Sequence, residues 1–125
     1  MLIIKTGTNV DKSYANELFT FGDLMHESEI VARLEELAKE LDLFNPEVQI
    51  TIATNRDLVI ETLRVLALES GNFDQFRIEY DNLDGTTAIQ SHDKNGNLNN
   101  VKYDYRDVTC DVVFRALTHT TFDQN

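Results

Sequence analysis

The stretch Val48-Gln49-Ile50-Thr51-Ile52-Ala53-Thr54-Asn55 sits at a change of hydrophobic period, and its reading decides the fold. Val48, Ile50 and Ile52 alternate with Gln49, Thr51 and Ala53, the period of a strand with one face in a core. From Arg56 to Ser70 the pattern is helical instead, with Leu58, Val59, Ile60, Leu63, Val65, Leu66, Ala67 and Leu68. The strand therefore passes directly into a helix. Thr54 and Asn55 are both able to cap it, and Thr54 with Asp57 three residues on has the form of a capping box. The helix is apolar around much of its circumference, so it is buried on two sides or keeps a patch for a partner or a second copy. Gly71 is placed to end it.

Outward to the N-terminus, Leu2-Ile3-Ile4 reads as a strand, followed by polar Thr6-Gly7-Thr8-Asn9. Between Asp11 and Phe21 a short helix over Tyr14, Leu18 and Phe19 and an irregular loop both fit. A second helix, from about Asp23 or Ser28 to Leu43, carries Ile30, Leu34, Leu37, Ala38 and Leu41. With Val31 these fill an arc of roughly 120°, and Glu29, Arg33, Glu36 and Glu40 cluster on the other side. Glu27 and Glu29 suit its first turn, and Asn45-Pro46 closes it.

Towards the C-terminus, Phe76, Ile78 and Tyr80 alternate with Arg77 and Glu79, Asp84-Gly85 marks a turn, and Thr86 to Ser91 resumes a strand. Val101, Tyr103 and Tyr105 follow the turn-forming run His92-Asp93-Lys94-Asn95-Gly96-Asn97, which makes an antiparallel meander of three strands. From Asp107 to Thr118, Val108, Cys110, Val112, Phe114 and Ala116 alternate as a strand, whereas Val108, Val112 and Ala116 also fit a helix; the β-branched content favours strand. The expected fold is α+β, one domain over residues 1–125, with two helices packed on one face of a mainly antiparallel sheet of about five strands.

The 125 residues include 22 acidic and 11 basic side chains, a formal charge of −11, and 42% are hydrophobic, with 7 Phe and 4 Tyr. That is enough apolar material for one core. The charge argues against direct binding of nucleic acid or an anionic membrane, which need clustered Lys and Arg. Lone Cys110 excludes an intrachain disulfide and a cysteine-rich zinc site. With no apolar run near the roughly 20 residues of a membrane span and no signal-peptide pattern at Met1-Leu2-Ile3-Ile4-Lys5, a cytoplasmic location is expected.

Several local patterns suggest chemistry. Asp81-Asn82-Leu83-Asp84-Gly85-Thr86 resembles the Asp-Pro-Ile/Leu-Asp-Gly-Thr signature of the inositol-monophosphatase-like phosphatases, with Asn82 in place of proline. The resemblance covers six residues and implies a small metal-dependent phosphohydrolase, with Asp81 and Asp84 holding Mg²⁺. Against it, Asp-Gly between two strand-like runs is the composition of a hairpin turn, and this is the preferred reading. An EF-hand register with Gly96 sixth puts Ser91 first and Lys102 last, where Asp and Glu are required. His26, His92 and His119 lack the i, i+4 partners of a helical zinc site, and no glycine-rich elbow surrounds Cys110. No catalytic residue, cofactor or metal is expected.

The acidic surface remains. Residues 17–47 alone carry a balance of −7. Glu36 and Glu40 lie one helical turn apart, roughly 6 Å along the axis, close to the spacing of successive phosphates on a nucleic-acid strand. Glu29, Glu36, Glu40 and Asp42, with Glu79, Asp81 and Asp84 as a second patch, are the candidate contacts for the basic surface of a nucleic-acid-handling protein. In size and charge the chain resembles the small acidic inhibitors that phages carry against restriction and CRISPR systems. A solubilising helix face, helped by Glu29–Arg33 and Glu35–Lys39 pairs, is the simpler account of the same residues. The alternative from another class is a homo-oligomeric small-ligand-binding protein, with Val59, Leu66 and Ala67 of the second helix at a subunit interface or pocket and Tyr80, Tyr103 and Tyr105 stacking on the ligand.

Overall fold

The computed structural model describes residues 1–8 and 10–99. In chain order the elements are β1 (Leu2–Gly7), α1 (Glu27–Glu40), β2 (Ile50–Ala53), α2 (Asp57–Glu69), β3 (Phe76–Asp81) and β4 (Thr87–Ser91), with single 3₁₀ turns at Lys12–Tyr14, Glu17–Phe19 and Phe73–Gln75. The chain is α+β: the described residues form two helices and a four-stranded mixed sheet of order β2-β1-β3-β4. β1 pairs in parallel with both β2 and β3, and β3 pairs antiparallel with β4.

This corrects the expectation of a mainly antiparallel sheet. The signal lay in Leu2-Ile3-Ile4, all three buried. An unbroken apolar run is the mark of a strand covered on both faces, as a central parallel strand is. The meander is present in its first hairpin, and beyond it the chain turns back through an antiparallel bridge of His92 with Leu98. The strands expected around Val101–Tyr105 and Asp107–Thr118, with Cys110, lie outside the described residues.

Parallel register puts Leu2, Ile4, Ile52, Phe76 and Ile78 on one face. These pack in one cluster with Ile30, Leu34 and Leu37 of α1 and Val59, Ile60, Leu63 and Ala67 of α2, so both helices cover the same side, as expected. Phe19 and Leu43, from the turns flanking α1, complete this core. The chain steps outward from β1 to β2 and then back across β1 to β3 with its helices on one face. The two crossovers are therefore of opposite hand, and one is of the rare left-handed kind.

α1 begins at His26, whose Nδ1 accepts from the Ser28 N–H, with Glu27 and Glu29 in the first turn. It ends three residues earlier than the periodicity suggests, at Glu40, because Asp42 adopts a φ of 49°. α2 has no side-chain cap. Thr54 Oγ1 accepts from the Arg56 N–H instead, and Asn55 is turned back to β1, so the expected capping box does not form. Gly71 ends α2 as expected, with the Asn72 N–H returning to the Ala67 carbonyl.

Candidate functional site

The acidic residues of α1 are exposed. At 100° per residue Glu29, Glu36 and Glu40 fall on one flank of the helix, with Arg33 among them. Arg33 Nη1 lies 2.9 Å from Glu36 and 3.8 Å from Glu40, so it serves these two rather than Glu29. The flank remains net negative by two charges, three carboxylates against one guanidinium. Asp42 does not extend it, being the residue on which the helix terminates.

The second patch is elsewhere. Glu79 lies on the sheet face opposite the helices, where its carboxylate is 3.0 Å from both Lys5 and Arg77. Burial opposes its ionisation, but the Lys5 hydrogen bond and the charges of Lys5 and Arg77 outweigh that and hold its carboxyl below the usual range. The Glu79 hydrogen bond in turn raises the Lys5 ammonium against the opposing effect of burial. With its side chain only 15% exposed, Glu79 is an internal counter-ion and not a contact for an outside cation. Asp81 accepts from Thr87 Oγ1 at 2.8 Å. Asp84 accepts from the hydroxyl and the N–H of Thr86, which lower its carboxyl below the usual range, and Gly85 at φ 87° completes the turn. The Asp81–Thr86 motif is thus a hairpin turn, its aspartates held by threonines. Among the described residues no three His, Cys, Asp or Glu side chains gather as a metal site. The two acidic sets do not form one surface.

Two polar constellations were missed in the sequence. At the carboxyl ends of β1 and β2, Asn55 accepts from Thr6 Oγ1 (2.7 Å) and the Gly7 N–H (2.8 Å) while its amide donates to the Gly7 carbonyl (3.1 Å). This clasp walls a cleft of about 220 Å³ that Thr8, Val10, Lys12, Ala15, Ala53 and Thr54 also line. Under the opposite end of the sheet, Arg64 Nε donates to His92 Nε2 at 2.8 Å and Arg64 Nη1 to Glu61 at 2.7 Å. His92 is 7% exposed. Burial first, and the Arg64 charge second, lower its pKa, and because Nε2 accepts from Arg64 the neutral ring carries its proton on Nδ1. Neither group was marked by periodicity, since both depend on residues far apart in the chain.

The residues expected at an α2 subunit interface are mostly spent inside. Val59 and Ala67 are fully buried in the core, Leu66 is half-buried, and Val65 stands exposed. Tyr80 packs half-buried against the core, and Tyr103 and Tyr105 lie outside the described residues. No helix among the described residues is long and apolar enough to cross a membrane. Compared with protein families, with curated proteins and with solved structures, the chain matches none.

Proposed function

We propose that the chain is an acidic, non-enzymatic binding protein that occupies the basic, nucleic-acid-binding surface of a partner protein. The observation that carries this reading is the flank of α1 with Glu29, Glu36 and Glu40: exposed carboxylates on a rigid helix anchored by Ile30, Leu34 and Leu37. Rigidity matters because a fixed array meets a groove without first losing side-chain and backbone freedom. Glu79, Asp81 and Asp84 are left out of this contact set because each is held by local partners, and Asp42 because it lies past the end of α1. The size and charge shared with phage-borne inhibitors of restriction and CRISPR systems give the reading its specific form: an inhibitor that competes with nucleic acid for its partner's cleft, in the cytoplasm, without a cofactor.

The test is capture of nuclease-treated lysate proteins on the immobilised chain at low and high salt, followed by displacement with duplex DNA. A nucleic-acid-binding protein that DNA displaces is expected, with Glu36→Lys plus Glu40→Lys lowering its association rate about tenfold at low salt and less at high salt. An unchanged rate at low ionic strength removes the flank from the interface.

A further inference from the structure

The helix layer has a second exposed feature, on the other side of α1. Val31 and Glu35 line the side of α1 towards α2, Val31 roughly 140–180° and Glu35 roughly 100–140° around the helix from Glu29, Glu36 and Glu40. With Leu58, Glu61, Thr62, Val65, Leu66 and Glu69 of α2 they line a groove of about 210 Å³. Its floor is Val31, Leu58, Val65 and Leu66, with Val65 40% exposed. Its rim is acidic on both banks, Glu35 on α1 and Glu61 and Glu69 on α2. Arg64 offsets Glu61 at 2.7 Å, and the exposed carboxylates of Glu35 and Glu69 remain as the charges at the lip.

We propose that this groove receives a basic amphipathic helix, laying leucine-like side chains on the Val31–Leu58–Val65–Leu66 floor and lysine or arginine against Glu35 and Glu69. Charge complementarity selects the occupant. A second copy of this chain would set an acidic lip against an acidic lip in a molecule of net charge −11, and nucleic acid or an anionic lipid surface is repelled for the same reason. The length also fits, because Leu58 to Glu69 spans about three turns, the contact length of a helix read through i, i+3, i+4 and i+7 anchors. The inference rests on the reading of the chain as a binder of basic proteins and gives that partner a second, apolar anchor away from the phosphate-like flank.

The probe is a fluorescent amidated peptide of about 15 residues, lysine and leucine arranged with one apolar face at helical spacing. Its control has the same composition in an order that gives no apolar face. Anisotropy at about 50 mM and about 300 mM salt is expected to show the amphipathic peptide binding at least tenfold tighter than the control at both. Val65→Lys, a change at an exposed position, and Glu35→Lys plus Glu69→Lys are each expected to lose about tenfold, and Glu36→Lys plus Glu40→Lys much less. Equal affinity for the two peptides overturns the proposal, as does a loss confined to the Glu36 and Glu40 pair, which would leave the α1 flank standing as the only binding face. Sedimentation showing a dimer that Val65→Lys dissociates also overturns it, by making the groove a contact between copies. Failure of the flank with success of the groove is visible in the same experiment, because the two sets of variants share no residue.

Discussion

Gly7 ends β1 at φ 117°, and a Cβ built there would stand 2.3 Å from the Asp81 carbonyl oxygen and 2.7 Å from its nitrogen. The three nearest atoms are all backbone of Asp81, so no flexible side chain is there to give way. Gly7→Ala is therefore expected to cost about 3 kcal/mol or more, read from denaturant unfolding. A loss below about 1 kcal/mol would show that β1 and β3 do not meet this closely. Asn55→Ala removes the Thr6 and Gly7 hydrogen bonds together and is expected to cost about 1–3 kcal/mol. The sequence makes Gly7 a polar break and Asn55 a cap, because local propensity cannot see that the two are 48 residues apart and 2.8 Å distant. His92 is subject to the same limit: a loop histidine by its neighbours, a buried partner of Arg64 by its fold. Its pKa lies below 6.5 when folded and near 6.5 when unfolded, so the unfolded chain takes up the proton first. Its contribution is complete above pH 6.5 and is lost as pH falls from there towards the folded value. His92→Gln is expected to flatten the fall in stability over that window, measured by urea midpoints at several pH values. An identical slope would mean that His92 titrates normally in the fold.

Among the elements, the helices were the most legible. Their core stripes follow the helical period, and Ile30, Leu34, Leu37, Val59, Ile60, Leu63 and Ala67 are buried as it requires. Pairing direction was not legible, because alternation along a strand says which side chains are buried and nothing about which neighbour it takes. The unbroken apolar run Leu2-Ile3-Ile4 is the mark of an internal strand, and the burial of Ile3 and Ile4 on opposite faces agrees with it. Val31 illustrates the same difficulty on a helix. It lies at the margin of the α1 stripe, where the period assigns it to the core, but the separation of α1 from α2 leaves it lining a groove. α1 stops short of Leu43 for a conformational reason. Asp42 takes a positive φ that L-residues favour little, and its charge sits at the helix's negative end. Asp42→Gly is expected to stabilise the protein by about 0.5–1 kcal/mol, visible as a raised denaturation midpoint with the dependence on denaturant unchanged. A destabilised variant would assign Asp42 a contact that outweighs both costs.

Across the whole molecule the charge of −11 is divided among places with different consequences. Glu79 is compensated by Lys5 and Arg77, Asp81 and Asp84 hold a hairpin, and exposed carboxylates stand along the α1 flank and at the lip of the groove. A folded chain with this excess repels itself, and salt screens the repulsion over about 10 Å at 0.1 M. Thermal stability is therefore expected to rise between about 10 mM and about 300 mM sodium chloride, because the self-repulsion is long-ranged while the Lys5–Glu79–Arg77 cluster is short and partly shielded from solvent. Glu36→Lys plus Glu40→Lys brings the formal charge from −11 to −7. It also removes the two Arg33 contacts, each worth about 0.3–0.5 kcal/mol at an exposed helix position. The absolute midpoint is thus poised between a local loss and a global gain, and the informative quantity is the slope with salt. That slope is expected to be shallower in the variant, measured by calorimetry across the salt series. A steeper slope would place the destabilising charge elsewhere and separate the α1 flank from the molecule's self-repulsion. The shallower slope would make this variant the right instrument for the binding test, since a chain that folds with less dependence on salt cannot lose its partner at low salt by unfolding there.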